Sequence, residues 1–364
     1  MSGASRGGVD AALIETDAFE HIRPLVFQSN PYSPGVRALL TQAREAAQRM
    51  PIPGPDPVID EAASVVSSLH LEAIRKLLAS SGFEREEIEV VGMHGHSIMH
   101  RPESETSWQL GNGMALATES RIQVVSDFVK TDQEEGGTGA PLLPVFYRAV
   151  MYEEQKPAAV LDLGETSRLM INYSDREMGA LETGPGMRLL DDWMRLHFDT
   201  DFDEGGAICE RGTPDEDIVE ELIAHPYFRK ESPKSVDPDI FGIAPLRDLS
   251  PEDGAATLAA FTAEGVVRGL LRLAQRPDRF WVAGGGRKNK ALLRMITSRT
   301  GIQAQPIDKL GWNGDALDAQ GYAYLAVRRV ALKSSTYPET TGVRVPSHCG
   351  KIYEPMDRRS TERD

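Results

Sequence analysis

The chain has 364 residues, 40% hydrophobic and 26% charged, with a formal net charge of −15. That length fills one large core or two ordinary ones. The acidic balance argues against nucleic-acid and anionic-membrane surfaces, and no apolar run reaches bilayer length.

In chain order, a first glycine turn at residues 2–8 opens into a strand at 9–13, and 25–27 is a second strand candidate. Residues 51–57 are proline-rich and read as a loop. Ala62, Val65, Val66 and Leu69, then Ala73, Ile74, Leu77 and Leu78, recur at helical spacing, which predicts a helix over 60–78 closed by Gly82. Residues 88–93 and 121–125 read as strands. A hairpin is expected from 158–163 and 168–173 around Gly164-Glu165, followed by a helix at 187–196. An acidic, loop-rich stretch over 199–248 holds a short helix at 218–223. Further helices are predicted at 257–274, 290–298 and 315–331, with a strand at 280–283. The charged tail from Arg358 reads as disordered.

Cys209 and Cys349 lie far apart without metal-ligand spacing and read as reduced thiols. The N-terminus shows no charged segment leading into an apolar stretch. Both features give a cytoplasmic expectation. A zinc site needs more closely spaced ligands than His94, His96 and His100 supply.

Three more glycine turns carry the chemistry: Gly136-Gly137-Thr138-Gly139-Ala140-Pro141, Glu182-Thr183-Gly184-Pro185-Gly186 and Ala283-Gly284-Gly285-Gly286-Arg287-Lys288-Asn289. Without a Cβ in the way, backbone N–H groups approach an anion closely. Several such turns, each beside an apolar run, suggest a phosphate channel built from distant segments of two α/β lobes with a cleft. At the third turn the alternative is a tight strand–helix turn without a ligand. Trp108 and Gln109 suit a sugar, with a core tryptophan as the alternative.

With Met93-His94-Gly95-His96, His100-Arg101-Pro102, Gln109-Leu110-Gly111, Asp127-Phe128, Asp132, Pro233-Lys234-Ser235, Asp315-Ala316-Leu317-Asp318-Ala319 and Thr341-Gly342, these turns run through nearly the whole chain. In order and spacing the chain resembles the anhydro-N-acetylmuramic acid kinases of the sugar kinase, heat-shock protein and actin superfamily. The resemblance implies a two-lobed actin-like ATPase (ribonuclease H-like) α/β fold. The first lobe would hold residues 1–125 plus about 336–364, and the second 126–335. It also implies ATP and Mg²⁺, an amino sugar substrate and a homodimer. Family members open the 1,6-anhydro ring with water and phosphorylate O6, in cell-wall sugar recycling.

Carried over by position, the resemblance makes Glu182 the catalytic base. It assigns ATP and phosphate contacts to Gly3, Ala4, Ser5, Arg6, Gly7, Gly8, Val9, Asp10, Gly137, Thr138, Gly139, Thr183, Gly184, Gly284, Gly285, Gly286 and Asn289. Substrate contacts fall to His94, Gly95, His96, Ser97, Gln109, Asp127, Lys130 and Asp318. The chain departs from the pattern at several of these positions. Glu182 stands where the family has aspartate, with a solvated turn acid as the alternative. Asp162 and Arg168 replace two neutral amides, and the opening turn lacks a hydroxyl and a carboxylate. The family also has an apolar strand ahead of the opening turn. Either that strand lies outside this sequence or the lobe has rebuilt its edge. Two functions follow, an active kinase or a weakened relative that binds sugar or nucleotide without turnover.

Overall fold

The computed structural model describes residues 1–3 and 7–356. Ala4, Ser5, Arg6 and the tail from Arg358 lie outside the described residues. In chain order the elements are β1 (Gly8–Thr16), β2 (Ile22–Pro31), α1 (Pro34–Gln48), α2 (Pro57–Ser81), β3 (Val91–Gly92), β4 (His96–Arg101), β5 (Thr106–Leu110), α3 (Gly113–Ser120), β6 (Val124–Ser126), α4 (Phe128–Glu134) and α5 (Pro144–Val150). There follow β7 (Ala158–Leu163), β8 (Thr166–Asn172), β9 (Met178–Pro185), α6 (Arg188–Phe198), α7 (Glu216–Ile223), α8 (Pro251–Leu270), β10 (Arg279–Ala283), α9 (Lys290–Thr300), β11 (Gln303–Pro306), α10 (Leu317–Val330) and β12 (Lys351–Tyr353).

The chain divides into two compact units. Unit 1 holds Met1–Val150, Asp318–Pro338 and the chain from Val343 onward; unit 2 holds Met151–Leu317 and Glu339–Gly342. The boundary differs from the expected one, because residues 126–150 and most of α10 belong to unit 1. α10 is tied to the N-terminal part of the chain, where Tyr324 Oη donates to Phe19 O and Arg328 Nη1 to Ala18 O, each at 2.8 Å, and residues 126–150 follow it through the ring contacts Phe128–Tyr322 and Phe146–Tyr324, with centroids 5.4 and 5.8 Å apart.

In unit 1, β1 and β2 form an antiparallel hairpin, as do β4 and β5. β6 pairs in parallel with β3 and antiparallel with β12. The long α2 starts where Asp56 Oδ1 accepts from the Val58 and Ile59 amides, and it stops at left-handed Gly82. Ile59, Ala62, Val66 and Ala73 face a core shared with Leu40, Ala43 and Ala47 of α1 and with Ile98, Met99 and Leu110. The strand expected over 88–93 shrinks to two residues.

Unit 2 is built on one five-stranded sheet in the order β11-β10-β7-β8-β9. β11, β10 and β7 run parallel, while β8 is antiparallel to both β7 and β9. The expected hairpin at Gly164-Glu165 is β7–β8. α8 begins earlier than the expected 257, because Ser250 caps it and Pro251 opens it. Gly254 lets α8 lie directly on α6, since a Cβ there would stand 2.1 Å from Trp193 Cζ2. Each unit buries one free thiol, Cys349 in unit 1 and Cys209 in unit 2.

Candidate active site

Three turns meet at one end of the unit 2 sheet. β7 and β10 are parallel neighbours, so their C-terminal ends lie side by side with Ala283 opposite Asp162. The chain leaves β10 through Gly284 at φ +73°, where a Cβ would stand 2.5 Å from Asp162 Oδ1. Only glycine satisfies both the angle and the approach. The turn after β9 docks on the β7–β8 hairpin. There Gly186 N donates to Glu165 O at 2.9 Å and Met187 N to Gly164 O at 2.8 Å. At Gly285, by contrast, the space a Cβ would occupy is open. Thr183, Gly184, Gly284, Gly285 and Gly286 are thus brought together, while the Gly136–Pro141 and opening turns belong to unit 1. Asp162, Gly164 and Arg168 join the unit 2 group.

Glu182 sits beneath these turns and is 2% exposed, so it is not a solvated turn acid. A bulge between Ser167 and Arg168 sets Arg168 opposite Glu182 and Ser167 opposite Gly184. The Glu182 carboxylate accepts from Thr166 Oγ1 at 2.7 Å on Oε1, and on Oε2 from Ser235 Oγ and Val236 N, each at 2.7 Å. Its own backbone is pinned as well. Glu182 N donates to Lys234 O at 3.0 Å, and the Tyr227 hydroxyl donates to Glu182 O at 2.5 Å. Burial first, and the Glu182 charge second, push the Tyr227 phenol well above its ordinary range. Arg168 completes the cluster, with Nη1 3.2 Å from Asp162 Oδ2 and Nε 3.7 Å from Glu182 Oε1. One guanidinium therefore serves two buried acids.

Sequence reasoning gave no role to Thr166 or Ser235. Ser235 lay within the Pro233-Lys234-Ser235 match, but spacing alone did not reveal that its hydroxyl reaches a carboxylate 53 positions away. Lys234 is buried with its ammonium on the Tyr227 carbonyl at 3.2 Å and 4.4 Å from the Tyr227 ring centroid. Burial lowers it to about 8.

The third turn is held from below by Arg287. Its guanidinium donates to Gly284 O at 3.1 Å and pairs with Asp308 and Asp315 at 2.8 and 2.9 Å. Asn289, expected at the phosphate, turns its side chain to a helix cap. Its Oδ1 accepts from Leu292 N at 2.9 Å, capping α9, and its amide faces Cys209 Sγ at 3.9 Å. The carboxamide is consumed by helix capping in the interior.

The other expected contacts belong to unit 1. Val9 is core; Gly3, Gly7, Gly8 and Asp10 lie at the start of β1 and the segment before it. His94 stacks at 4.7 Å on Tyr322, and His96 is buried near Tyr32. Gly95 turns between them at φ +81°. Ser97 and Gln109 are cross-strand partners, Nε2 donating to Oγ at 3.4 Å. Trp108 packs on the unit 1 core, which favours its core reading. Asp127 accepts the Tyr353 hydroxyl. Lys130 is largely exposed, 4.0 Å from Glu134. Gly137, Thr138 and Gly139 are shaped by buried Asp132, which accepts from Gly139 N at 2.8 Å. Asp318 opens α10. Among the described residues no cluster of three metal-ligating side chains occurs. No helix among them is long and apolar enough to cross a membrane.

The unit 2 sheet, with chain order 3-2-1-4-5 and its second strand antiparallel, and the glycine turns at its strand ends define an actin-type, ribonuclease H-like α/β protein. A family model described as anhydro-N-acetylmuramic acid kinase matches residues 1–355, and the chain belongs to that family. The anhydro-N-acetylmuramic acid kinase of Rhizorhabdus wittichii is 43% identical, with 98% of each chain covered. That of Zymomonas mobilis is 41% identical, covering 97% of this chain and 98% of its own. Among solved structures, the activator of the 2-hydroxyisocaproyl-CoA dehydratase from Clostridium difficile with bound ADPNP aligns at 12% identity and a TM-score of 0.46. The alignment covers 91% of this chain and 94% of that one.

Proposed function

We propose that the chain hydrolyses the 1,6-anhydro ring of anhydro-N-acetylmuramic acid, or a closely related anhydro sugar, and phosphorylates the freed O6 from ATP with Mg²⁺. Family membership over the whole chain supports the reaction. The observation that carries the residue assignment is Glu182, a buried carboxylate beneath three converging glycine turns. In this reading Glu182 takes a proton from water, whose oxygen attacks the anomeric carbon. The C1–O6 bond breaks, and O6 accepts the γ-phosphoryl group as ADP leaves.

Because Glu182 is enclosed, the proton reaches it through a hydroxyl that already donates to it, Thr166 or Ser235. The open side of Gly285 suits close approach of a phosphate to backbone N–H groups. Mg²⁺ in such kinases rests mainly on water and phosphate oxygens, which fits a site without a dedicated protein cage. The unit 1 contacts assigned by resemblance, His94 to Ser97, Gln109, Asp127, Lys130 and Asp318, are the sugar-side part of the same reading. So are a cytoplasmic location and a homodimer.

The test is ADP release with ATP, Mg²⁺ and the anhydro sugar, with the product identified by mass. A gain of one water and one phosphoryl group supports the reading. ATP binding by calorimetry without sugar-dependent turnover refutes it and favours the binding-protein alternative.

A further inference from the structure

One rung of the unit 2 sheet runs across four strands beneath the glycine turns. Ala283 of β10 stands opposite Asp162 of β7, Asp162 opposite Arg168 of β8, and Arg168 opposite Glu182 of β9. Directly opposed residues share a face of the sheet, so the rung sets an acidic, a basic and an acidic side chain in a row. The two acids are enclosed, with 2% and 3% of their side chains exposed, while Arg168 keeps 25% open. Arg168 is therefore the charged member of the rung that an arriving ligand meets.

Its guanidinium reaches the turns on either side. Nε donates to Thr166 Oγ1 at 3.3 Å, and Thr166 Oγ1 donates in turn to Glu182 Oε1. Nη1 donates to Asp162 Oδ2 at 3.2 Å, and Nη2 lies over the β7–β8 turn, 3.4 Å from where a Cβ on Gly164 would stand. Glu182 does not depend on the arginine for its own geometry. Thr166, Ser235 and Val236 each donate to its carboxylate at 2.7 Å, whereas Arg168 Nε stands 3.7 Å from Oε1. For a polyphosphate at these turns the two carboxylates of the rung are repulsive. The planar cation between them is attractive, because its forked N–H donors match phosphate oxygens.

We propose that Arg168 is a γ-phosphate ligand of this chain, holding the transferring phosphoryl group beside Glu182 through charge-assisted N–H···O bonds. The inference rests on the kinase reading. There Glu182 serves the water that attacks the anomeric carbon, and the phosphoryl acceptor O6 is bonded to that same carbon, so the terminal phosphate must come close to Glu182. A guanidinium 3.7 Å from Glu182 Oε1 is placed to meet it. The neutral amides that the family carries at 162 and 168 offer no such charge. Exchange at both positions brings in the cation together with a buried counter-ion, Asp162, that holds it at the rung before nucleotide arrives.

Calorimetric titration of the full chain with ATP and with ADP, in Mg²⁺ and without sugar, isolates the γ-phosphate. Arg168→Met should weaken ATP about tenfold or more and ADP about twofold or less. The double variant Asp162→Asn/Arg168→Met carries the same formal charge in the rung as the parent and leaves no lone ion at Asp162. It should show the same selective loss, because removing an acid does not replace a phosphate ligand. An arginine with a structural role alone would weaken both nucleotides alike, and one that only offsets the acids would let the double variant recover. Either result, or a ratio of ATP to ADP affinity unchanged in either variant, overturns the proposal and leaves the kinase reading standing. If the single variant does not fold, the double variant decides alone. A parent chain that binds no ATP overturns both readings.

Discussion

Arg168 Nε stands 3.7 Å from Glu182 Oε1, directly across the β8–β9 ladder. The same side chain holds Asp162, itself 2% exposed. Arg168→Met removes the cation that both acids share and should cost on the order of 3 kcal/mol, the low end for buried pairs because a quarter of the arginine side chain is exposed and Glu182 keeps three donors. Urea unfolding measures it. Asp162→Asn in the same background should restore part of the loss, and an unchanged midpoint in the single variant would deny Arg168 this role.

Glu182→Gln should lower kcat about 10²–10⁴-fold while calorimetry shows ATP binding nearly intact. Glu182→Asp draws the carboxylate back from the Thr166 and Ser235 hydroxyls and the Val236 amide. It should therefore lower the melting midpoint and bring no gain in turnover. Faster turnover in the aspartate variant would show that the hydroxyl pair does not set the position of the base.

Gly284 and Gly285 are adjacent but differ in what glycine does for them. Gly284→Ala adds a Cβ that collides with Asp162 and Leu163 at positive φ, so it should destabilise the fold by about 1–3 kcal/mol. Gly285→Ala meets nothing within 4 Å. It should melt like the parent yet raise KM for ATP. An unchanged KM would remove Gly285 from the phosphate site.

Much of this was legible in the sequence. α2 announced itself by periodicity, and the hairpin at Gly164-Glu165 by its turn. Glycines that must accept a close neighbour, such as Gly284 and Gly286, were visible as a cluster. The partners of Glu182 were not, because Thr166 and Ser235 reach it through tertiary folding and hydroxyls leave no spacing signature. α1 went unread although Ser33-Pro34 opens it and Leu40, Ala43 and Ala47 recur at helical spacing on its buried face. Asn289 shows a related limit of the sequence: a polar residue after a glycine turn serves a helix cap as readily as a phosphate.

His70 gives the fold a pH dependence. Burial is the main cause that holds it at about 3, with the Met1 ammonium, His96 and His94 acting in the same direction. Its folded value lies below the ordinary 6.5, so the stabilisation is complete above pH 6.5 and is lost as the pH falls from there towards 3. Urea midpoints over that window should decline, and His70→Leu should flatten the decline. An equal slope in the variant would assign the acid sensitivity to other groups.

The two cysteines have a practical consequence. Burial drives both thiols up, Cys349 to about 12, so neither is an available nucleophile in the closed protein. With one thiol in each unit, alkylation followed peptide by peptide becomes a pair of independent clocks, each timing the breathing of its own half without any engineered label.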